Sequence, residues 1–172
     1  LASSERQMCI RDSEYTNMLT ELPSLFRESA LVDRMHGFIK GWDIPPMRPE
    51  LKISGWALNT EYFCTILHLL RDDISYRAIV DQIVEVSAGA YERHVEAVKR
   101  LTTAYMKLLM PHIRSASDIL DNIDNKRNFK DYCLRPAIKM RAVIQKQLEI
   151  IDTKEYKKPE KQMPKFTLRE GI

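Results

Sequence analysis

Glycine is scarce in this 172-residue chain: five residues, at 37, 41, 55, 89 and 171, none of them spaced to make G-x-x-x-x-G-K-[ST]. Without that loop these residues hold no backbone cradle for a phosphate group. Cysteine is scarcer still. Cys9, Cys64 and Cys133 are odd in number, far apart and free of any C-x-x-C pair, which argues against a disulfide framework or a zinc knuckle and for reduced thiols. No apolar run approaches the roughly 18 residues a bilayer span needs, and the first residues lack the apolar stretch of a secretory signal. The expectation is a soluble, cytoplasmic protein with no membrane contact. An excess of one charge is missing too: 27 Lys and Arg against 24 Asp and Glu leave a formal +3, so charge placement rather than balance must point to any polyanion. His36, His68, His94 and His112 lack metal-ligand spacing, there is no G-x-S-x-G elbow, and no hydrophobic strand ending in paired acids precedes Pro23. No metal site is expected, His68 and His94 read as ordinary helix-surface residues, and catalysis by these residues alone is not indicated.

What is present is a 44% hydrophobic chain, enough for one sizeable domain or for a helical domain with pieces of its neighbours at either end. The opening "SERQMCIRDS" resembles the translated read-through of a sequencing-library adapter, so residues 1 to 13 are set aside as a non-native or disordered tail. Pro23 suits a first helical turn, from which Leu25, Phe26 and Leu31 are expected to face a core. "GFIKGW", residues 37 to 42, reads as a short strand or extended segment, and "DIPPMRPELKISG", with three prolines, as a connector.

Four helices are expected beyond it. Leu58, Tyr62, Phe63, Ile66, Leu67 and Leu70 repeat at helical spacing, with Asn59 near the amino end; Ser75 is a candidate cap for a second helix with Ile79, Val80, Ile83 and Val84 inward. A third runs over 91 to 110, stopped by Pro111, with Val95, Val98, Leu101, Tyr105, Leu108 and Leu109 as its stripe. The polar stretch 114 to 127 is a loop with room for a helical turn, and Asn128 is a candidate cap for a fourth helix ending near Ile151, kinked or broken at Pro136. "TKEYKKPEKQMPK", residues 153 to 165, has the composition of a solvated linker, after which Phe166-Thr167-Leu168 suits the start of a further domain's strand.

Two arginines rise above this background. In "LVDRMHGFI", Asp33-Arg34 interrupts an apolar stretch; a buried ion pair there is costly, whereas an arginine at a helix end can be aimed outward. Arg93 opens the third helix and begins a face Arg93, Ala97, Arg100, Ala104, Lys107. Taken singly, each is better explained by a solvated or locally paired guanidinium.

Taken together they carry a resemblance. "LVDRMHGFI" resembles the "LLDRMEVI" segment of Lon-type AAA+ ATPases and the "LLSRFDLI" segment of replicative MCM helicases, whose arginine is the finger. "ERHVEAVKRLTTAYMK", residues 92 to 107, resembles the MCM sensor-2 pattern R-x-L-E-x-[LI]-x-R-L-x-x-A. From about residue 20 onward, "DRMHGFIKGWDIP", "GWALNTEYF", "EAVKRLTTAYMKLL" and "YCLRPAIKMR" resemble the BrxL family of Lon-related AAA+ ATPases in BREX phage-defence systems. The departure is His36-Gly37, which stands where the wider Lon pattern has an acidic-aliphatic pair.

The resemblance implies a mainly α chain: the end of an AAA+ α/β core over 14 to 45, a connector over 46 to 57, a four-helix lid over 58 to 152, and a linker over 153 to 172 toward a Lon-like domain. It implies Arg34 as a finger acting in trans, Asp33 orienting it, and Arg93 as a nucleotide contact from the lid, in cis or in trans, with Arg100 second. It implies ATP and Mg2+ in the full-length protein, with Walker motifs expected before residue 14 and no nucleotide held by this piece alone. The implied partners are further copies in a hexamer-like ring, DNA, and other BREX proteins. Ser-Lys protease residues are not among those present. The competing class is a non-enzymatic helical module that binds DNA or protein through Arg93, Arg100, Lys107 and the basic tail. A structural lid that has lost activity is a third.

Overall fold

A computed structural model of the chain describes residues 16–169; the expected tail with Cys9, and Gly171, lie outside the described residues. The chain is mainly α, as expected, with one short two-stranded sheet among the described residues. A 3-10 turn, Ser24–Arg27, leads into α1, Ser29–Val32. Leu25 and Phe26 are exposed rather than inward, because elements of four residues turn only one side to the interior and Val32 occupies it, beside Leu19. The strand expected over 37 to 42 does not form: Gly41–Asp43 is a 3-10 turn, and residues 37–40 pair with no strand. They lie flat on a later helix: a Cβ added at Gly37 would sit 2.9 Å from the Met140 Cβ, so glycine is what permits the approach.

Helix α2, Thr60–Arg71, is capped as expected, with the Asn59 side-chain oxygen accepting from the amides of Glu61 and Tyr62 at 2.9 and 3.2 Å. Its apolar stripe, however, is only partly covered: Ile66, Leu67 and Leu70 are half-buried, Leu58, Tyr62 and Phe63 are exposed, and no residue of the helix is fully buried. Lys107 holds its carboxyl end by donating to the carbonyls of Leu70 and Arg71. In α3, Ser75–Ile83, Ser75 is not the cap. Asp73 accepts from both its amide and its hydroxyl, at 2.9 and 2.6 Å, a shorter and charged acceptor winning over a neutral one. Ile79, Val80, Ile83 and Val84 are buried as expected. Strand β1, Val84–Val86, pairs antiparallel with β2, Phe166–Leu168, Val84 opposite Leu168. The expected strand at 166 to 168 therefore closes onto the helical body.

Helix α4, Glu92–Leu109, buries His94, Ala97, Val98, Thr102, Thr103 and Met106, while Leu108 and Leu109 are exposed. The inward face is turned from the purely apolar stripe because threonine hydroxyls can bond back to their own helix: Thr102 to the Val98 carbonyl and Thr103 to that of Lys99, both at 2.8 Å. The stretch 114 to 127 holds more helix than expected, α5 (Ser117–Leu120) and α6 (Ile123–Asn128), with Asn122 rather than Asn128 as the cap. From α6 the rod continues through a π-helical segment, Phe129–Leu134, into α7, Arg135–Ile151. The break expected at Pro136 takes that form: Pro136 lies in the first turn of α7, where its missing N–H costs least, and the wider winding ahead of it relieves the ring.

After α7, Thr153–Tyr156 forms α8, which buries Tyr156, while Lys157, Lys158, Pro159 and Glu160 beyond it are exposed. The main core gathers α3, β1, α4, α5 and the π-helical segment around Val98, Met106, Ile119 and Phe129. A second cluster, Leu19, Val32, Ile144, Leu148 and Tyr156, clamps the chain's early residues onto α7. Gln147 reinforces it, its amide oxygen accepting from the Met18 N–H at 2.8 Å and its nitrogen donating to the Thr16 carbonyl at 3.1 Å.

Candidate functional site

Helix α1 ends at Asp33, which is 1% exposed although it is charged and next in the chain to an exposed arginine. Four side chains converge on its carboxylate. Arg141 of α7 donates to Oδ1 at 2.8 Å; Arg93, Tyr91 and Tyr156 donate to Oδ2 at 2.6, 2.7 and 3.3 Å. Burial pushes the Asp33 carboxyl up, but the bonds from Tyr91 and Arg93 and the charge of Arg141 outweigh it and hold it below the usual carboxylate value. Burial, with the charge of the same carboxylate, raises the Tyr156 phenol to about 12.

Arg141 is 0% exposed and is the largest fully buried side chain among the described residues. Besides Asp33 Oδ1 it donates through Nη1 to the carbonyls of Asp33 and Met35, and through Nε to His94 Nδ1 at 2.9 Å. A nitrogen that accepts from a guanidinium cannot carry a proton, so His94 is neutral with its proton on Nε2, which donates to the Lys161 carbonyl at 2.9 Å. Burial, reinforced by the Arg141 charge, lowers the His94 pKa accordingly. His94 is thus not the helix-surface residue its sequence position suggested: it is 0% exposed and forms part of this network.

Arg34 faces the other way. It is exposed, with Nη1 donating to the Ala30 carbonyl at 2.7 Å, and Asp33 does not hold it. The expected Asp33–Arg34 partnership is replaced by a division of labour in which Asp33 turns inward to Arg141 and Arg34 outward to solvent. Arg93 lies between these extremes, its side chain 42% exposed and bonded to Asp33. Arg100 pairs with Glu96 one turn back on α4 and lies 3.5 Å from His36 Nε2. Glu96 also receives both terminal nitrogens of Arg77 from α3, and these bonds take its pKa down to about 2. Arg93 therefore bonds the carboxylate of Arg34's chain neighbour while Arg34 itself turns away from it, and Arg100 belongs to an adjoining surface network.

Neither Arg141 nor His94 was singled out by the sequence as functional. The available signal was an arginine set among the inward positions Ala137, Ile144 and Leu148 of α7, which calls for a buried acid, and an aspartate between Val32 and Met35, which calls for a buried cation.

As a cofactor site these residues fit a polyphosphate through guanidinium contacts: Arg34 is exposed, and Arg93 can leave Asp33 without leaving a bare buried charge, since Arg141 still neutralises it. They do not fit a metal, because among the described residues no group of three His, Cys, Asp or Glu side chains is placed to hold one. A second electropositive feature lies elsewhere, an open groove of about 680 Å³ between the α6-to-α7 rod and β2, lined by Lys126, Arg127, Lys130 and Arg135 with Asp131 among them. No described helix is long and apolar enough to cross a membrane.

A family model described as the ATPase domain of Lon-like protease BrxL-like proteins matches residues 4–162. The Lon-like protease BrxL of Escherichia coli O9:H4 (strain HS) is 28% identical over 134 residues, 78% of this chain and 18% of that protein. The Lon-like protease BrxL of Bacillus cereus (strain H3081.97) is 33% identical over 85 residues, 49% of this chain and 12% of that protein. The chain thus spans less than a fifth of the length of these relatives.

Proposed function

The chain belongs to the family of BrxL-like, Lon-like ATPase domains, and from that premise we propose that it supplies the arginine finger and the lid arginine of an ATP site shared between subunits of a hexamer-like ring. Residues 16–45 close the AAA+ core, the helices from α2 to α7 form the lid, and the ring's work is done on DNA or protein in phage defence. Nucleotide bound with Mg2+ brings the γ-phosphate whose transfer to water drives the ring; its metal ligands and phosphate loop come from outside the residues present here.

Arg34 meets the developing negative charge on the neighbour's γ-phosphate, a contribution worth about 10³ to 10⁵ in rate where arginine fingers operate. Arg93 bonds the carboxylate of the residue next to Arg34 in the chain. On this reading Arg93 also reaches the neighbour's nucleotide, in trans. Bound phosphate competes with Asp33 for Arg93, and the exchange is affordable because the Asp33–Arg141 pair stays intact. Arg100 serves as a second-rank contact, held by Glu96 until an anion recruits it. DNA as the ring's substrate is supported by the Lys126, Arg127, Lys130 and Arg135 groove.

The observation that carries the reading is the opposed placement of Asp33 and Arg34: an arginine aimed at solvent from a turn whose preceding residue is anchored in the interior. In the full-length protein Arg34→Ala is expected to keep nucleotide binding and lose ATP turnover by about three orders of magnitude or more. Turnover equal to the parent's refutes the finger.

A further inference from the structure

We infer that Arg141 is the positioning residue for Arg34, an assignment that rests on the finger reading above. A buried arginine is not explained by stability alone, since an apolar residue of similar volume often serves a core as well or better. What Arg141 does with its donors is specific. One Nη1 group reaches the carbonyls of Asp33 and Met35, the residues on either side of Arg34, and Nη2 takes Asp33 Oδ1 at 2.8 Å. These contacts bracket a single turn. Past the end of α1 the Asp33 and Met35 carbonyls have no helical donor, so a rigid fork from α7 supplies one, and its planarity fixes the turn's orientation as an ammonium group cannot.

The fourth donor, Nε, is spent on His94 of α4, whose other nitrogen binds the Lys161 carbonyl. One guanidinium therefore fastens the Arg34 turn to two lid helices and to the segment before β2. Arg34 and the lid of its own subunit then move as one body, and any tilt of the lid moves the finger relative to the neighbouring nucleotide. Arg141 touches no nucleotide itself; it acts through Arg34.

The test uses the full-length protein and two substitutions. Arg141→Lys keeps a cation beside Asp33 but loses the fork, and the double substitution Asp33→Leu with Arg141→Met removes both buried charges together, preserving a packed interior. With either, amide exchange over residues 33–36 is expected to speed by about tenfold or more while the exchange of α4 is unchanged. For ATP hydrolysis kcat is expected to fall by about tenfold or more with KM within about twofold, because the contact made by Arg34 belongs to the transition state. In an Arg34→Ala background, adding Arg141→Lys is expected to lower kcat by less than about twofold further, since residues acting as one unit are not additive.

Unchanged exchange over 33–36 with both variants overturns the proposal, and so does full additivity of the Arg34 and Arg141 losses. Arg34→Ala with normal turnover overturns the finger reading and the positioning role with it. That result is distinguishable from failure of the positioning role alone, in which Arg34→Ala is inactive and Arg141→Lys keeps its kcat.

Discussion

Asp33→Asn is the sharpest probe of the network, because it keeps the side chain's shape and removes only its charge and half its acceptor capacity. Asp33 and Arg141 are both 0% exposed at the side chain and 2.8 Å apart. Neutralising one leaves the other as an uncompensated buried cation, a loss that amounts to about 3 to 5 kcal/mol in comparable buried pairs. The new amide group also turns donors toward groups that are themselves donors, so part of the Tyr91, Arg93 and Tyr156 bonding is lost with the charge. Arg93→Ala removes a cation from the same carboxylate but leaves Arg141 in place, and its side chain is 42% exposed; that loss should stay near 1 kcal/mol or below after solvent screening, on the order of other exposed pairs. The contrast between the two is therefore a factor of about three or more. Urea unfolding followed by far-ultraviolet circular dichroism measures both. With a slope of about 2 kcal/mol per molar, Asp33→Asn should lower the midpoint by about 1.5 to 2.5 M, and Arg93→Ala by about 0.5 M or less. Equal losses for the two variants, or a loss under about 1 kcal/mol for Asp33→Asn, would refute the division into a structural and an exchangeable cation.

Two further outcomes follow from the same geometry. Gly37→Ala places a Cβ 2.9 Å from the Met140 Cβ and 3.1 Å from Leu101 Cδ1; the Met140 Cβ is fixed to the α7 backbone, so the extended segment must lift, at about 1 to 3 kcal/mol, read as a lower urea midpoint, and an unchanged midpoint refutes the close packing. For pH, the His36 and His94 pKa values are lowered by burial, so between about pH 6.5 and their folded values the unfolded chain binds more protons than the folded one. Stability is fully present above about pH 6.5 and declines as pH falls toward 5; Asp33 and Glu96, whose folded values are depressed, extend the decline below about pH 4.5, and melting temperatures that are flat from pH 7 to 5 refute the neutral His94.

Much of the helical scaffold was legible because it rests on local rules: the Asn59 cap and the Ile79, Val80, Ile83 stripe each act within a few residues of themselves. The errors share a cause. Ser75 and Asn128 are sound capping residues displaced by better acceptors nearby, Asp73 and Asn122, and that competition is invisible to a rule that scores one position at a time. His94 resembled a surface residue because its partners, Arg141 and Lys161, are 47 and 67 residues away. The α2 stripe shows the converse: periodicity told correctly that the helix has an apolar face, but not that its Leu58, Tyr62 and Phe63 end stays exposed while Ile66, Leu67 and Leu70 are half-buried.

The placement of Arg141 turns on the π-helical segment. The buried residues Phe129, Cys133, Ala137 and Arg141 recur every fourth position, a spacing that in a pure α-helix of 3.6 residues per turn would carry the last of them about 120° away from the first. Winding of about 4.4 residues per turn through Phe129–Leu134 removes most of that drift, so that Arg141 points inward where an uninterrupted helix would present it at the side. Pro136, which suggested only a break, lies directly after this segment in the first turn of α7 and favours its wider winding. Had the rod been regular, Asp33 would lose its one fully buried cation and keep only the part-exposed Arg93 and two phenols, a costlier burial for a carboxylate at the end of α1. The irregularity in one helix and the buried acid in another are thus two halves of one device: each is destabilising alone, and together they leave Arg34 as the residue that must face out.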